Sequence, residues 1–271
     1  MRRPLRLVHT ADVHLGEQPN PFLGAASGDR SGTPPEWDRR VNGAGVGRDS
    51  TARPALARTS EIAFTRVVDT ALAERADALL IAGDLFDSNR VSEPAVRFAQ
   101  AQLRRLSCPV VLIPGNHDCY DETSIYRRFD FRDIGPHMHP LYAEEGELVT
   151  FDGLGLTVWG KGLVEHAPAN RPLHGVPSRA AEHWFVGLAH GHFALDRREL
   201  RSSLITPDEI ARCGLDYLAL GHVHVFRDVS QGPVRACYPG APRIPYAQER
   251  GGVAIIQLDP AGGVSVEERR L

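Results

Sequence analysis

An α/β fold is what this sequence predicts, from three observations. Between residues 5 and 113, short apolar runs alternate with segments of helical period in the order strand, helix, strand, helix, strand. That order implies a parallel sheet with right-handed crossovers. The run 78–82, Ala-Leu-Leu-Ile-Ala, is apolar at every position, as a strand buried on both faces must be. Between residues 137 and 159 the pattern changes to short β-type pieces separated by glycine turns, which predicts antiparallel strands of a second sheet.

Residues 5–10 form the first strand, and Asp12 and His14 follow it. In extended chain, residues two apart point to one side, so these two can grip one ion. His9 reads as a packed, hydrogen-bonded strand residue. Residues 17–54 change to Gly, Pro, Ser and Arg without a sustained period. The part at about 25–54, with Arg30, Arg39, Arg40, Arg48, Arg53 and Trp37, reads as a flexible, solvated insertion, with a substrate-gripping surface as the alternative. Helical spacing of Ile62, Phe64, Val67, Val68 and Leu72 predicts a helix over 58–76, and the strand 78–82 then delivers Gly83-Asp84 and Asp87.

A second helix opens near Ser92, Glu93 and Pro94, where a cap and an early proline belong. The strand 109–113 ends in Pro-Gly-Asn116-His117-Asp118. Strands are expected at 147–151 and 156–159, and the run 183–189 leads into His190-Gly191-His192. After a helix at 207–213 capped by Thr206, the run 217–220 ends in Gly221-His222-Val223-His224. Further strands are expected at 225–229, 234–238, 253–258 and 264–268.

Composition narrows the class. With 271 residues, 42% of them hydrophobic, the chain can build a full core, and it reads as one domain, 1–271. A formal charge of -3 supplies no global positive field, so an anionic substrate must be attracted locally. Four cysteines without a CxxC pair suit a reducing compartment. No apolar run suits a signal peptide or a membrane span, and a cytoplasmic protein is expected.

Five strand ends thus present Asp12 and His14, Asp84, Asn116 and His117, the pair His190 and His192, and His222 and His224. Oxygen and imidazole donors suit Mn, Fe, Zn or Mg rather than a thiophilic ion. There are more donors than one ion needs. Two adjacent divalent ions use them all, and such a pair activates a bridging water for in-line attack on phosphorus and neutralises phosphoryl charge. Asp87 and Asp118 read as carboxylates that orient ligating imidazoles or brace the loops.

Read as DxH, GDxxD, GNHD, a strand-ending His and GHxH, these motifs resemble the calcineurin-like metallophosphoesterases, and the match covers most of the chain in order. The resemblance implies a four-layer αββα sandwich, two mixed sheets flanked by helices. It implies Asp12, His14, Asp84 and His224 on one metal and Asp84, Asn116, His190 and His222 on the other, with manganese the first choice. It prefers His190 to His192 as ligand and gives His117 to the substrate phosphate. The stretches 7–16 and 238–242 are similar to the SbcD-like branch of DNA-repair exonucleases. That branch implies a nuclease or phosphodiesterase acting on DNA or RNA; a hydrolase of small nucleotides or other phosphodiesters and a non-catalytic scaffold are the alternatives. A homodimer or an SbcC-like ATPase would be the protein partner, although no separate capping domain or ATPase-binding segment is expected in this length.

Overall fold

The computed structural model describes residues 2–17, 52–165, 167–179, 182–195, 203–243 and 251–271. The insertion expected at 25–54 lies outside these, except that its last three residues belong to a helix. In chain order the first half contains β1 (Leu5–Thr10), α1 (Ala52–Ala73), β2 (Ala78–Ala82), α2 (Glu93–Leu103), β3 (Val110–Ile113), α3 (Ile125–Arg128) and β4 (Met138–Pro140). Then follow β5 (Glu147–Phe151), β6 (Leu156–Gly160), β7 (Trp184–His190), β8 (His192–Phe193), β9 (Leu204–Ile205) and α4 (Pro207–Arg212). The chain closes with β10 (Tyr217–Gly221), β11 (Phe226–Asp228), β12 (Arg235–Pro239), β13 (Gly252–Asp259) and β14 (Gly263–Arg270).

Two six-stranded mixed sheets result, ordered β14-β13-β1-β2-β3-β4 and β11-β12-β10-β7-β6-β5. In the first, β1, β2, β3 and β4 are parallel; in the second, β6, β7, β10 and β12 are. Alternation along each strand sorts side chains into layers. On β2, Leu79 and Ile81 pack with Phe64, Val67 and Val68 of α1 and Val96 and Ala99 of α2. Leu80 and Ala82 instead face Val186 and Leu188 of β7 across the gap between the sheets. On the outer face of the second sheet, Leu218 and Leu220 meet Ile210 of α4. The order is helix, sheet, sheet, helix, the four-layer sandwich expected.

Local chemistry accounts for the ends of the helices. Thr206 accepts from the Glu209 amide while the Glu209 carboxylate accepts from Thr206, a capping box with Pro207 in the first turn. α2 also has a proline in its first turn, Pro94, but the Ser92 side chain makes no cap bond. α1 differs from expectation: it starts at Ala52 rather than 58 and ends at Ala73 rather than 76. Pro54 falls in its first turn, where no intrahelical donor is lost, and Arg75 closes it in the left-handed region at φ 50°. The strands at 253 and 264 return to the first sheet, β13 pairing antiparallel with β1. Among the described residues no helix is long and apolar enough to cross a membrane.

Candidate metal centre

The parallel strands release their chains at one pole of the sandwich. β1 delivers Asp12 and His14, β2 Asp84, β3 Asn116 and His117, β7 ends on His190, and β10 leads to His222 and His224. Four of these residues leave their strands through positive φ: Asp12 at 55°, His14 at 52°, Asp84 at 52° and His222 at 107°. Non-glycine residues adopt this region at a cost of about 1–3 kcal/mol each, and only where the surroundings enforce it. Here the first two loops are laced together: the Asp12, His14 and Leu15 amides donate to the Gly83, Asp84 and Leu85 carbonyls at 3.1, 3.1 and 2.9 Å. Two glycines permit the close approach. A Cβ on Gly115 would collide with the Asp84 carboxylate, and one on Gly221 with the Ala82 carbonyl.

The side chains converge on Asp84. Its Oδ1 accepts the His117 amide at 2.8 Å, while Oδ2 lies 3.4 Å from His190 Nε2 and 4.0 Å from His14 Nε2. His14 Nε2 is 3.3 Å from His224 Nε2, which is 3.9 Å from Asp12 Oδ1. On the other side Asn116 Oδ1 lies 2.9 Å from both His190 Nε2 and His222 Nδ1. All seven metal candidates named from sequence therefore meet in one cluster. Three overlapping sets have donor atoms within 4.8 Å of one another: Asp12, His14 and His224; His14, Asp84 and His117; Asp12, Asp84 and His190.

These donors suit divalent ions on their own chemistry. Two imidazole nitrogens face each other at the His14–His224 contact, where a cation would satisfy both. The His190 Nδ1–H donates to the Ala82 carbonyl at 2.9 Å, which leaves Nε2 as its ligating atom. Asp12 and Asp84 are 1% and 2% exposed, so both carboxylates need buried cationic partners.

The model of the calcineurin-like phosphoesterase family matches residues 5–226. The chain belongs to that family. It is also 27% identical to a Bacillus subtilis (strain 168) protein named uncharacterized metallophosphoesterase YhaO, over all of this chain and 61% of that protein. Two archaeal proteins named DNA double-strand break repair protein Mre11 are each 28% identical: that of Aeropyrum pernix over 87% of this chain and 53% of its own length, that of Methanopyrus kandleri over 75% and 50%. The chain thus spans between half and three fifths of the curated relatives it matches. The crystal structure of TT1561 of Thermus thermophilus shares the fold, with a TM-score of 0.52 at 12% identity over 97% of this chain and 98% of that one.

The electrostatics suit a phosphoesterase site that binds cations. Burial disfavours the Asp12 carboxylate and pushes it up to about 6. Burial opposes charge on Asp84 and His190 too, but their mutual attraction outweighs it: His190 rises to about 9 and Asp84 falls below the usual carboxylate range. His224 is lowered to about 4 by burial and by His14, which is itself raised by Asp87 and Asp84 against its burial. Of the two rings, His14 is thus the one that favours the proton. Ligation replaces such protons with metal, so an ion bound here displaces them.

The carboxylates read from sequence as braces of the site make different contacts. Asp118 is fully buried and gathers four donors: the amides of Gly115, Phe86 and Asp84 at 2.7, 3.1 and 3.2 Å and the Tyr126 hydroxyl at 2.6 Å. It thereby ties the loop after β2 to the loop after β3. Tyr126, on the short α3, escaped the sequence reading because nothing local marks it. The Asp87 carboxylate lies 3.5 Å from His14 Nδ1 and 3.8 Å from His117 Nδ1, and its carbonyl accepts from His117 Nδ1 at 2.8 Å. His192 stands outside the cluster, its ring 6.0 Å from that of His222. His9 is buried and bonded through Nδ1 to the Tyr217 hydroxyl at 2.8 Å.

Proposed function

We propose that this phosphoesterase is a dinuclear-metal phosphodiester hydrolase acting on nucleic acid, with Asp12, His14, Asp84 and His224 holding one ion and Asp84, Asn116, His190 and His222 the other. The observation that carries this reading is the position of Asp84 Oδ2, within 3.4 Å of His190 and 4.0 Å of His14, so that one oxygen faces both donor groups. The ions, when bound, supply Lewis acidity toward phosphoryl oxygens and a water acidic enough to act near neutral pH. Oxygen and imidazole donors favour manganese, with iron, zinc or magnesium as substitutes.

His117 is the proton-handling residue of the proposal. Its Nδ1–H donates to the Asp87 carbonyl, so Nε2 is left to face the substrate. Its side chain is 42% exposed, against 2% for Asp84, as befits a residue meeting an incoming phosphate. There it can stabilise developing charge or protonate the leaving oxygen. The Mre11 names of two relatives support nucleic acid as the substrate class.

The deciding assay offers the manganese-loaded full chain 5′- and 3′-labelled single- and double-stranded DNA beside a generic phosphodiester and cyclic nucleotides. Manganese-dependent shortening of labelled DNA is the expected result. Turnover of cyclic nucleotides with intact DNA would replace it with the small-nucleotide reading.

A further inference from the structure

A small cavity of about 140 Å³ adjoins the metal centre, walled by Asp12, His14, Asp87, His117 and His224 and closed by Glu17 and Arg243. Neither closing residue belongs to the ligand motifs. Glu17 follows directly on the β1 loop, its amide donating to the His14 carbonyl at 3.2 Å. Arg243 follows β12, past Gly240, whose φ of 76° turns the chain back over the site. The Ala241 amide then donates to the His224 carbonyl at 3.1 Å. Glu17 is therefore fastened to the backbone of His14, and Ala241, two residues before Arg243, to that of His224. The Arg243 and Glu17 side chains form an ion pair at the cavity wall, and they are only 14% and 19% exposed, respectively.

We propose that Arg243 grips the substrate phosphate in this cavity, and that Glu17 holds the guanidinium aimed until the phosphate displaces it. This rests on the phosphodiesterase reading above. The other charged walls are carboxylates and imidazoles, and among the described residues lining the cavity Arg243 is the one permanent cation. A phosphate entering beside His117 also meets the carboxylates of Asp87 and Glu17, which repel it. A guanidinium offsets that repulsion, and its planar fork can donate two parallel bonds to two phosphate oxygens, a fixed geometry that a lysine ammonium lacks. Partial burial strengthens the contact. The Glu17 carboxylate holds the arginine at the site before substrate arrives, and phosphate must compete with it for the guanidinium.

The test separates the grip from the reaction. Manganese-loaded wild type, Arg243→Ala, Arg243→Lys and Glu17→Gln are compared by elemental analysis, by calorimetric titration with inorganic phosphate, and by phosphodiester turnover. All four should carry the same metal content. Arg243→Ala should bind phosphate about tenfold more weakly or worse, the loss of a charged hydrogen-bonding partner. Arg243→Lys should lie between it and wild type, and Glu17→Gln should bind more tightly than wild type. In turnover the arginine variants should raise KM more than they lower kcat. Unchanged phosphate affinity in Arg243→Lys and Glu17→Gln, or loss of metal from either, overturns the proposal even if Arg243→Ala fails to fold. If no phosphodiester is hydrolysed yet phosphate binding follows the expected order, the grip stands and the substrate reading falls.

Discussion

Along β2, Leu80 and Ala82 are fully buried against apolar neighbours of the second sheet; two residues later Asp84 is 2% exposed and at φ 52°. The core between the sheets and the pole where the strands end are thus built from one set of strands under different rules. In the core, alternation does the work, and each buried aliphatic side chain contributes about 1.5–3 kcal/mol. At the pole, four non-glycine residues take positive φ and two carboxylates are enclosed with histidines. Such groupings cost stability in the absence of a ligand. The core supports the pole, and the strained pole is where chemistry belongs.

Three substitutions sharpen this contrast. The largest effect is expected at Asp84. Asp84→Ala should lose both metals and all metal-dependent turnover, because it removes the oxygen facing both donor groups. Elemental analysis after manganese loading measures this, and full metal content in the variant would refute the shared role. Next comes His117→Ala, which should keep both metals while turnover of a phosphodiester falls by about a hundred- to ten-thousand-fold. Loss of metal, or near wild-type turnover, would remove His117 from the proton-handling role.

A core substitution should show the converse. Leu80→Ala is expected to lower unfolding free energy by about 2–5 kcal/mol, while the folded variant keeps its metals and its KM. Urea unfolding of the chelated protein and kinetics well below its midpoint check the two halves separately. If metal affinity fell along with stability, core and pole would be one energetic unit, and the comparison would fail.

The division also explains what was legible in the sequence. Ala78-Leu79-Leu80-Ile81-Ala82 followed by Gly-Asp is visible as a strand that delivers a carboxylate, and the same holds for the runs before Asn116, His190 and His222. Since parallel strands end at one pole, locating the ends located the cluster. Pairings between distant segments left no local trace. Glu17 and Arg243 are far apart in the chain and meet only because β1 and β12 end at the same pole. Tyr126 reaches Asp118 from a helix of four residues, too short for a periodic signal. The return of β13 to the first sheet was hidden as well, since strand membership depends on partners rather than on alternation. The early start of α1 was masked by the Arg- and Pro-bearing composition of its first turn.

His9 gives the smallest effect and joins the two regions. On β1 it has the same parity as Leu5 and Leu7, facing the second sheet, and its Nδ1 meets the Tyr217 hydroxyl, itself 3.1 Å from Cys237 Sγ. Burial lowers its pKa from 6.5 to about 3, so it stays neutral in the folded chain while the unfolded chain takes up a proton as pH falls below 6.5. Between those two values the unfolded state binds more protons, so stability must fall with falling pH, by up to about 1.4 kcal/mol per unit from this residue. Above 6.5 neither state carries the proton and the contribution is fully present. His9→Asn removes the titration and leaves a polar side chain for Tyr217. Urea unfolding of chelated wild type and variant from pH 7.5 to 5 should therefore give curves that are parallel above 6.5 and converge below it, by about 1 kcal/mol at pH 5.5. Curves that stayed parallel throughout would mean that His9 takes up its proton within the fold, and the apolar core would then reach less far toward the pole than its burial indicates.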